Sequence, residues 1–461
     1  MRRFTIGIVD DLFYSLQSRL ANDGHDVLVY MGSSNEIENF DVCKHKAGTI
    51  SQASSLNEIY NKCDFVICGT ANYNDIPAYE YFKNLNFPVI GHSMAATLLE
   101  SDRDFARIVN EKLGITEFIS NPNSHLFTNV DDAIEFLEST HDSWVLKQSP
   151  MSPQHIQENR TWVSKVNNHK STISLLQGKN AWFYPEGNGG VILEQYIDGQ
   201  EVCFGAWFDG EKFISPMYSC IEHKGAQNFD RGSMLTGEVG STMNLHSISQ
   251  NTIMGKVFDL LAPYLRGKCN GMIDMNVIIA HDTHKLNFVE YTIRYGRPTL
   301  EVQLSMLTTE DYGKVLFDLA QQKVDSDYLE NHYQMDKYAT AVTVFSYGIP
   351  FIRQHDAKVE SPTALSLAFD MPSIPSLVQN NKVVLQQLFC RYSNDIDEGG
   401  WHTAPSERQF VVVGLSNTID GSIDAAYKSL KGYNLPTCTW RDDVGATFAA
   451  TENLLSWERI V

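Results

Sequence analysis

The feature that most restricts the fold is the alternation of short apolar runs with helical stretches over the first 117 residues. Residues 4 to 9 read as a buried strand, 13 to 22 as a helix with Leu12, Leu16 and Leu20 on one face, and Asp26 to Tyr30 as a second strand. Cys63 to Cys68 and Phe87 to Ile90 are further short strands, on either side of a helix at about 74 to 85. Strands that alternate with helices imply a parallel sheet covered on both faces. Residues 1 to 117 are therefore expected to form a doubly wound α/β domain.

The rest of the chain changes character. Residues 93 to 113 read as one helix with Leu98, Leu99, Phe105, Ile108, Val109 and Leu113 as its inner stripe, ended by Gly114. Trp144 to Lys147 is a short strand, and the polar stretch 149 to 170 is expected to be a mobile loop or hairpin tip. Strands from Gly190, over Val202 to Phe208 and over Lys212 to Ile214 follow, with Asp209-Gly210 as a hairpin signal. Ser219 to Met243 holds Gly225, Gly232, Gly237 and Gly240 and is expected to be a long active-site loop. Helices at about 249 to 265 and 309 to 322 flank strands at 271 to 280 and 285 to 291. The tail returns to strands near 340 to 346, 385 to 391 and 409 to 415, with a helix from Ser422 to Leu430.

With 461 residues, 43% of them hydrophobic, the chain can bury a large core spread over roughly three domains. A net charge of -20 and no Lys/Arg run longer than two exclude general nucleic-acid affinity. The eight cysteines lack both the density of a disulfide scaffold and the spacing of a zinc site, which suits free thiols in a reducing compartment. The apolar run at the amino terminus is broken by Asp10 and Asp11, so it reads as a strand and not a signal peptide. No stretch approaches the roughly 20 apolar residues of a membrane span. A cytoplasmic monomer or homodimer is expected.

Chemistry concentrates in Asn287 to Leu307, where an apolar strand runs into Glu290, then Arg294, then the turn Gly296-Arg297-Pro298. An acid and two cations at a strand mouth suit a magnesium-nucleotide, because hard oxygens hold the metal and guanidinium groups neutralise phosphate. The same pattern also suits a strand end with solvated charges. His281 and His284 read as a solvated turn, Gly187 to Gly190 matches no phosphate loop, and Trp182, Tyr184 and Trp207 read as core.

Four segments in order resemble the ATP-grasp superfamily and, within it, the phosphoribosylamine-glycine ligase family. Phe87 to Ala106 is similar to that family's strand, G-P-S turn and helix. Val191-Ile-Leu-Glu-Gln-Tyr-Ile-Asp-Gly-Gln-Glu201 resembles its adenine and ribose segment. Residues 289 to 296 resemble its metal strand E-x-N-x-R-x-G, and Arg441-Asp-Asp-Val-Gly445 resembles its terminal R-x-D-I-G. The resemblance implies an α/β fold with an α+β middle: an N-terminal doubly wound domain at 1-117, a small lid at 118-190, an ATP-grasp core with the metal site at 191-330, and a small β-rich C-terminal domain at 331-461. It implies ATP with Mg2+ or Mn2+ as cofactors. Arg103, Lys147, Glu194 and Glu201 would contact the nucleotide, Asp274 and Glu290 the metal, and Arg294 and Arg297 the reacting groups.

The chain departs from the family at several places. Thr292 replaces the metal asparagine, Arg297-Pro298-Thr299 replaces D-P-E, and Arg103 replaces a lysine. Gln148 to Pro153 replaces a glycine-rich phosphate loop, and Val9-Asp10-Asp11-Leu12-Phe13 replaces a glycine-rich turn. The expected activity is an ATP-dependent carboxylate-amine ligase that takes an amino acid, glycine by default, and an altered amine-bearing acceptor, with or without a phosphate. The parent phosphoribosylamine-glycine ligase activity and a catalytically silent nucleotide-binding scaffold are the alternatives.

Overall fold

The computed structural model describes residues 2–9, 14–31, 48–69, 75–149, 161–163, 169–178, 190–228, 231–234, 239–322, 324–350, 383–385, 388–389, 402–403, 408–431, 438–448 and 457–461. The turn at Asp10 to Phe13, most of the 149 to 170 insert, Trp182, Tyr184 and Gly187 to Gly189 lie outside these residues.

The amino-terminal strands β1 (Thr5–Val9), β2 (Asp26–Tyr30), β3 (Thr49–Gln52), β4 (Phe65–Cys68) and β5 (Val89–His92) form a parallel sheet in the order β3-β2-β1-β4-β5. Helices α1 (Tyr14–Asn22), α2 (Leu56–Lys62) and α3 (Asp75–Asn84) connect them. Alternate side chains enter different cores: Ile6, Ile8, Val27, Val29, Ile67 and Ile90 join one, and Val9, Leu28, Val66 and Val89 the other. Both faces are thus covered, as continuous apolar strands require.

The stretch expected as one helix is two, α4 (Met94–Ser101) and α5 (Arg103–Lys112). Asp102 separates them: its backbone is extended, and its carboxylate accepts from the Phe105 amide at 2.9 Å, capping α5. The break redirects the second helix. Ile108, expected inside, is 46% exposed, whereas Arg103 and Arg107 are buried. Gly114 takes up φ 75° just beyond α5, as expected.

A second sheet has the order β6-β9-β7-β8, from β6 (Ser124–Phe127), β7 (Trp144–Ser149), β8 (Thr161–Val163) and β9 (Gly190–Gln195). Its core is shared with α6 (Val130–Ser139) and α7 (Lys170–Gln177).

The middle of the chain is antiparallel: β10 (Gly199–Phe208) pairs with β11 (Phe213–His223) through the Asp209-Gly210 turn. The glycine-rich run after Ser219 is not one long loop. β11 extends to His223, β12 (Gly225–Gln227) pairs with β13 (Arg231–Met234), and β14 (Gly240–His246) returns along β11. Glycine serves close approach here, since a Cβ at Gly240 would lie 2.8 Å from the Ala341 carbonyl oxygen.

Helix α8 (Ile253–Leu265) starts later than expected because Thr252 caps it, with a turn before it. β15 (Cys269–Ala280) and β16 (Leu286–Thr292) then form a long hairpin whose tip carries exposed His281 and His284. Helix α9 (Thr299–Met306) carries no periodic signal in the sequence: all eight residues are buried, so it has no polar face. Helix α10 (Tyr312–Ala320) is capped by Asp311.

β5 pairs antiparallel with β15 through Cys269↔His92, which joins the parallel and antiparallel parts into one 14-stranded sheet. β17 (Tyr338–Pro350) extends it beyond β14, and Arg408–Ser416 pairs with β17 beneath helix Ile419–Lys431. Of the strand expected near 385 to 391, the described residues show Val383–Leu385 and Leu388–Phe389. Among the described residues no helix is long and apolar enough to cross a membrane.

Candidate active site

Strand register decides which side chains meet. β10, β11, β15 and β16 are paired so that Gly205 faces Tyr218 and Asp274, Cys203 faces Asn276, Asn276 faces Glu290, and Asp274 faces Thr292. Because side chains alternate along a strand, Glu201, Asp274, Asn276, Glu290 and Thr292 share one face of the sheet. The other face carries Val202, Phe204, Ile273, Met275 and Val277, packed with Val257, Phe258 and Leu261 of α8. The apolar face anchors the sheet and leaves the polar one for chemistry.

Glu290 is the centre of the polar face. Arg103 Nη2 donates to its Oε2 at 2.9 Å, and Lys224 Nζ lies 3.7 Å from its Oε1. Burial opposes its ionisation, but the charges of Arg103, Lys224, Lys147 and Arg294 outweigh it and hold the carboxyl down at about 2. Lys224 also donates to Glu201 at 2.7 Å and lies 3.9 Å from Glu222. Burial works against the Lys224 charge, and Glu201, Glu290 and Glu222 more than compensate, so its pKa is pushed well up.

A second group stands behind it. Lys147, on β7, is 4% exposed and donates to Glu194 on β9, which Arg107 of α5 also holds. Burial pushes the Lys147 pKa down against the pull of Glu194. Arg107 further reaches Asp104 at 2.9 Å and Ser124 at 2.8 Å. Arg294 is anchored by Glu100, whose Oε1 accepts from its Nε at 2.9 Å while Oε2 accepts from the Ile293 amide at 2.9 Å.

The residues expected from sequence are therefore partly gathered. Arg103 and Glu290 touch, Lys147 and Glu194 touch, and Glu201 reaches Glu290 through Lys224. Asp274 lies one rung away from Glu290: Asn276 is the residue opposite that acid, and the neighbours of Asp274 are Tyr218, Gly205 and Gly296. Arg297 sits in the turn before α9. Sequence reading missed Asn276, Lys224, Arg107, Glu100 and Tyr218. Asn276 and Arg107 had a signal, two residues after Asp274 on a strand and four after Arg103 on a helix. Lys224 fell in a run read as loop.

The donor set suits a hard divalent cation. Asn276 is 4% exposed; its Nδ2 donates to Glu201 at 3.0 Å, and its Oδ1 has no hydrogen-bond partner. An orphaned amide oxygen opposite a carboxylate kept ionised is what a magnesium or manganese ion accepts. Among the described residues no three His, Cys, Asp or Glu side chains converge on one point, so such an ion would complete its shell with the amide, water and phosphate oxygens.

Residues 101–300, which hold this cluster, match the family model described as "Phosphoribosylglycinamide synthetase, ATP-grasp (A) domain". The chain is 24% identical over 405 residues to the phosphoribosylamine-glycine ligase of Fusobacterium nucleatum, covering 85% of each. It is 21% identical over 395 residues to that of Rhizobium meliloti, covering 84% of this chain and 85% of the relative. Among solved structures, the phosphoribosylamine-glycine ligase of Thermotoga maritima aligns with TM-score 0.65 over 95% of this chain and 100% of that one, at 14% identity. The biotin carboxylase domain of the Hydrogenobacter thermophilus 2-oxoglutarate carboxylase, in complex with MgADP, ADP and bicarbonate, aligns with TM-score 0.61 over 95% and 92%, at 11% identity.

Proposed function

We propose that this chain, whose residues 101–300 match an ATP-grasp family model and which is similar along its length to phosphoribosylamine-glycine ligases, is an ATP-dependent carboxylate-amine ligase acting through an acyl phosphate. The observation that carries the reading is the Glu290 cluster, a carboxylate held ionised by cations beside an orphaned amide oxygen. A magnesium or manganese ion, when bound, supplies charge neutralisation on the phosphate oxygens. Glu290 and Asp274 would hold it, with Asn276 Oδ1 beside them.

Arg103 and Lys147 would exchange their present carboxylate partners for phosphate oxygens. Glu194 and Glu201 would accept from the adenine amino group and the ribose hydroxyls. Arg294, fixed by Glu100, and Arg297 would neutralise charge on the transferring phosphoryl group. The substrate carboxylate attacks the γ-phosphorus and releases ADP; an amine then attacks the acyl carbon and expels phosphate, leaving an amide. No side chain forms a covalent bond, so positioning and charge dominate.

Glycine is the default acid. Arg297 and Thr299 in place of two acids favour an acceptor other than phosphoribosylamine, whereas authentic phosphoribosylamine-glycine ligase activity of purine biosynthesis would need that pocket to work despite the exchange. Thr292 in place of asparagine favours a second reading, a nucleotide-binding scaffold without turnover.

The test is incubation with Mg-ATP and a panel of amino acids and amines. Acid-dependent ADP release that Glu290→Ala abolishes is expected. Nucleotide that binds without hydrolysis under every combination would favour the scaffold.

A further inference from the structure

Lys224 ties together two carboxylates of the site, since it donates to Glu201 at 2.7 Å and lies 3.7 Å from Glu290. Yet it falls at a joint, after β11 ends at His223 and before β12 begins at Gly225. The ladder of β11 with β14 stops at His223, and that of β12 with β13 starts at Gly225. Neither ladder therefore fixes the backbone of Lys224.

What brackets the joint comes from far along the chain. Arg441 Nη1 donates to the Gly225 carbonyl at 3.0 Å across 216 residues, and the Gly445 amide donates to His223 Nε2 at 3.4 Å across 222. Between them, the Asp442 amide donates to Asn228 Oδ1 at 3.1 Å. Both chain neighbours of Lys224 are thus held by the single segment Arg441 to Gly445.

That segment is itself stiff. Arg441 is 1% exposed, and its Nε and Nη2 donate to the two oxygens of Asp443 at 2.8 and 2.7 Å, a bidentate pair that fixes the guanidinium plane and turns Nη1 toward Gly225. The Tyr427 hydroxyl, from helix Ile419–Lys431, donates to the Arg441 carbonyl at 2.8 Å and accepts from the Val444 amide at 2.9 Å. Gly445 has φ 88°, and a Cβ there would lie 2.8 Å from Thr242 Oγ1, so the segment is pressed onto β14.

We infer that Arg441 is a positioning residue for Lys224: it holds the β11–β12 joint so that the lysine ammonium group lies between Glu201 and Glu290. The inference rests on the ligase reading for its consequence, the binding of a magnesium-nucleotide by those two acids. Lysine at 441 would keep the charge but lack the planar fork that serves Asp443 and Gly225 at once.

The test is a double-mutant cycle on Mg-ADP affinity, measured by calorimetry on the full chain. Arg441→Lys alone should weaken binding about five- to tenfold, and in a Lys224→Met background the same exchange should change it less than about twofold, because the group it positions is gone. Asn228→Ala, which leaves Arg441 in place, should act in the same direction by a smaller factor and also lose its effect beside Lys224→Met; it decides the matter if Arg441→Lys does not fold. Unchanged affinity in Arg441→Lys, or equal losses in both backgrounds, overturns the inference and leaves Arg441 a residue of the fold alone. If wild type binds no Mg-ADP, the ligase reading fails by itself. In that case, or if the Lys224→Met chain binds none, the cycle is read on urea unfolding midpoints: a combined shift smaller than the sum of the single shifts supports the positioning role, and additive shifts overturn it.

Discussion

At the scale of single residues, the site depends on charges that the fold keeps ionised against the cost of burial. Glu290 has its acidity shifted from 4.5 to about 2. A depressed carboxyl stabilises the fold fully above the unfolded value, and that stability is lost as pH falls from about 4.5 towards 2. The contribution is on the order of 3 kcal/mol. Glu290→Gln should therefore lack this part of the acid dependence: urea unfolding of wild type and variant at pH 6 and near pH 3 should give a stability difference that shrinks at the lower pH. Parallel losses in the two proteins would show that Glu290 is not held as described. Glu290, Arg294 and Lys147 were legible in the sequence as charges at strand ends. Asn276 and Lys224 were not singled out, because an uncharged amide and a lysine after a glycine-rich run gain meaning only through register and distance.

At the scale of elements, what could be read depended on whether an element shows solvent a different face from the core. The alternating first 117 residues and the β15–β16 hairpin have clear patterns, and both were legible with boundaries off by a few residues. Helix α9 is buried all round and carries no periodic signal. The break at Asp102 was hidden inside a stretch whose composition suits one helix, although it decides that Arg103 and Arg107 face the site. The glycines between Ser219 and Met243 suggest a loop along the chain, because packing demands inside a sheet are invisible there. Gly205 shows such a demand: a Cβ there would sit 2.4 Å from Asp274 Oδ1 and 2.4 Å from the Tyr218 ring. Gly205→Ala is expected to cost about 1–3 kcal/mol in stability and to weaken Mg-ATP binding by displacing Asp274. Denaturant unfolding and calorimetry check both, and a variant with unchanged stability and affinity would contradict the crowding at that rung.

At the scale of the whole molecule, one sheet runs from the parallel strands into the antiparallel core, so the carboxyl ends of β4 and β5 and the polar face of β10, β15 and β16 belong to one framework. A chain with net charge -20 then gathers Arg103, Lys147, Lys224 and Arg294 around Glu290, which suits phosphate-bearing small molecules. The ligase claim requires that an oxygen of the acid substrate leave with the phosphate, because the carboxylate is phosphorylated before the amine displaces it. Incubation with Mg-ATP, an amine panel and carboxyl-18O-labelled amino acids, glycine first, followed by mass spectrometry of the released phosphate, reads that transfer directly. One 18O atom in the phosphate, absent with Glu290→Ala, is the expected result; phosphate released without label, or no phosphate released with any acid, would contradict the account.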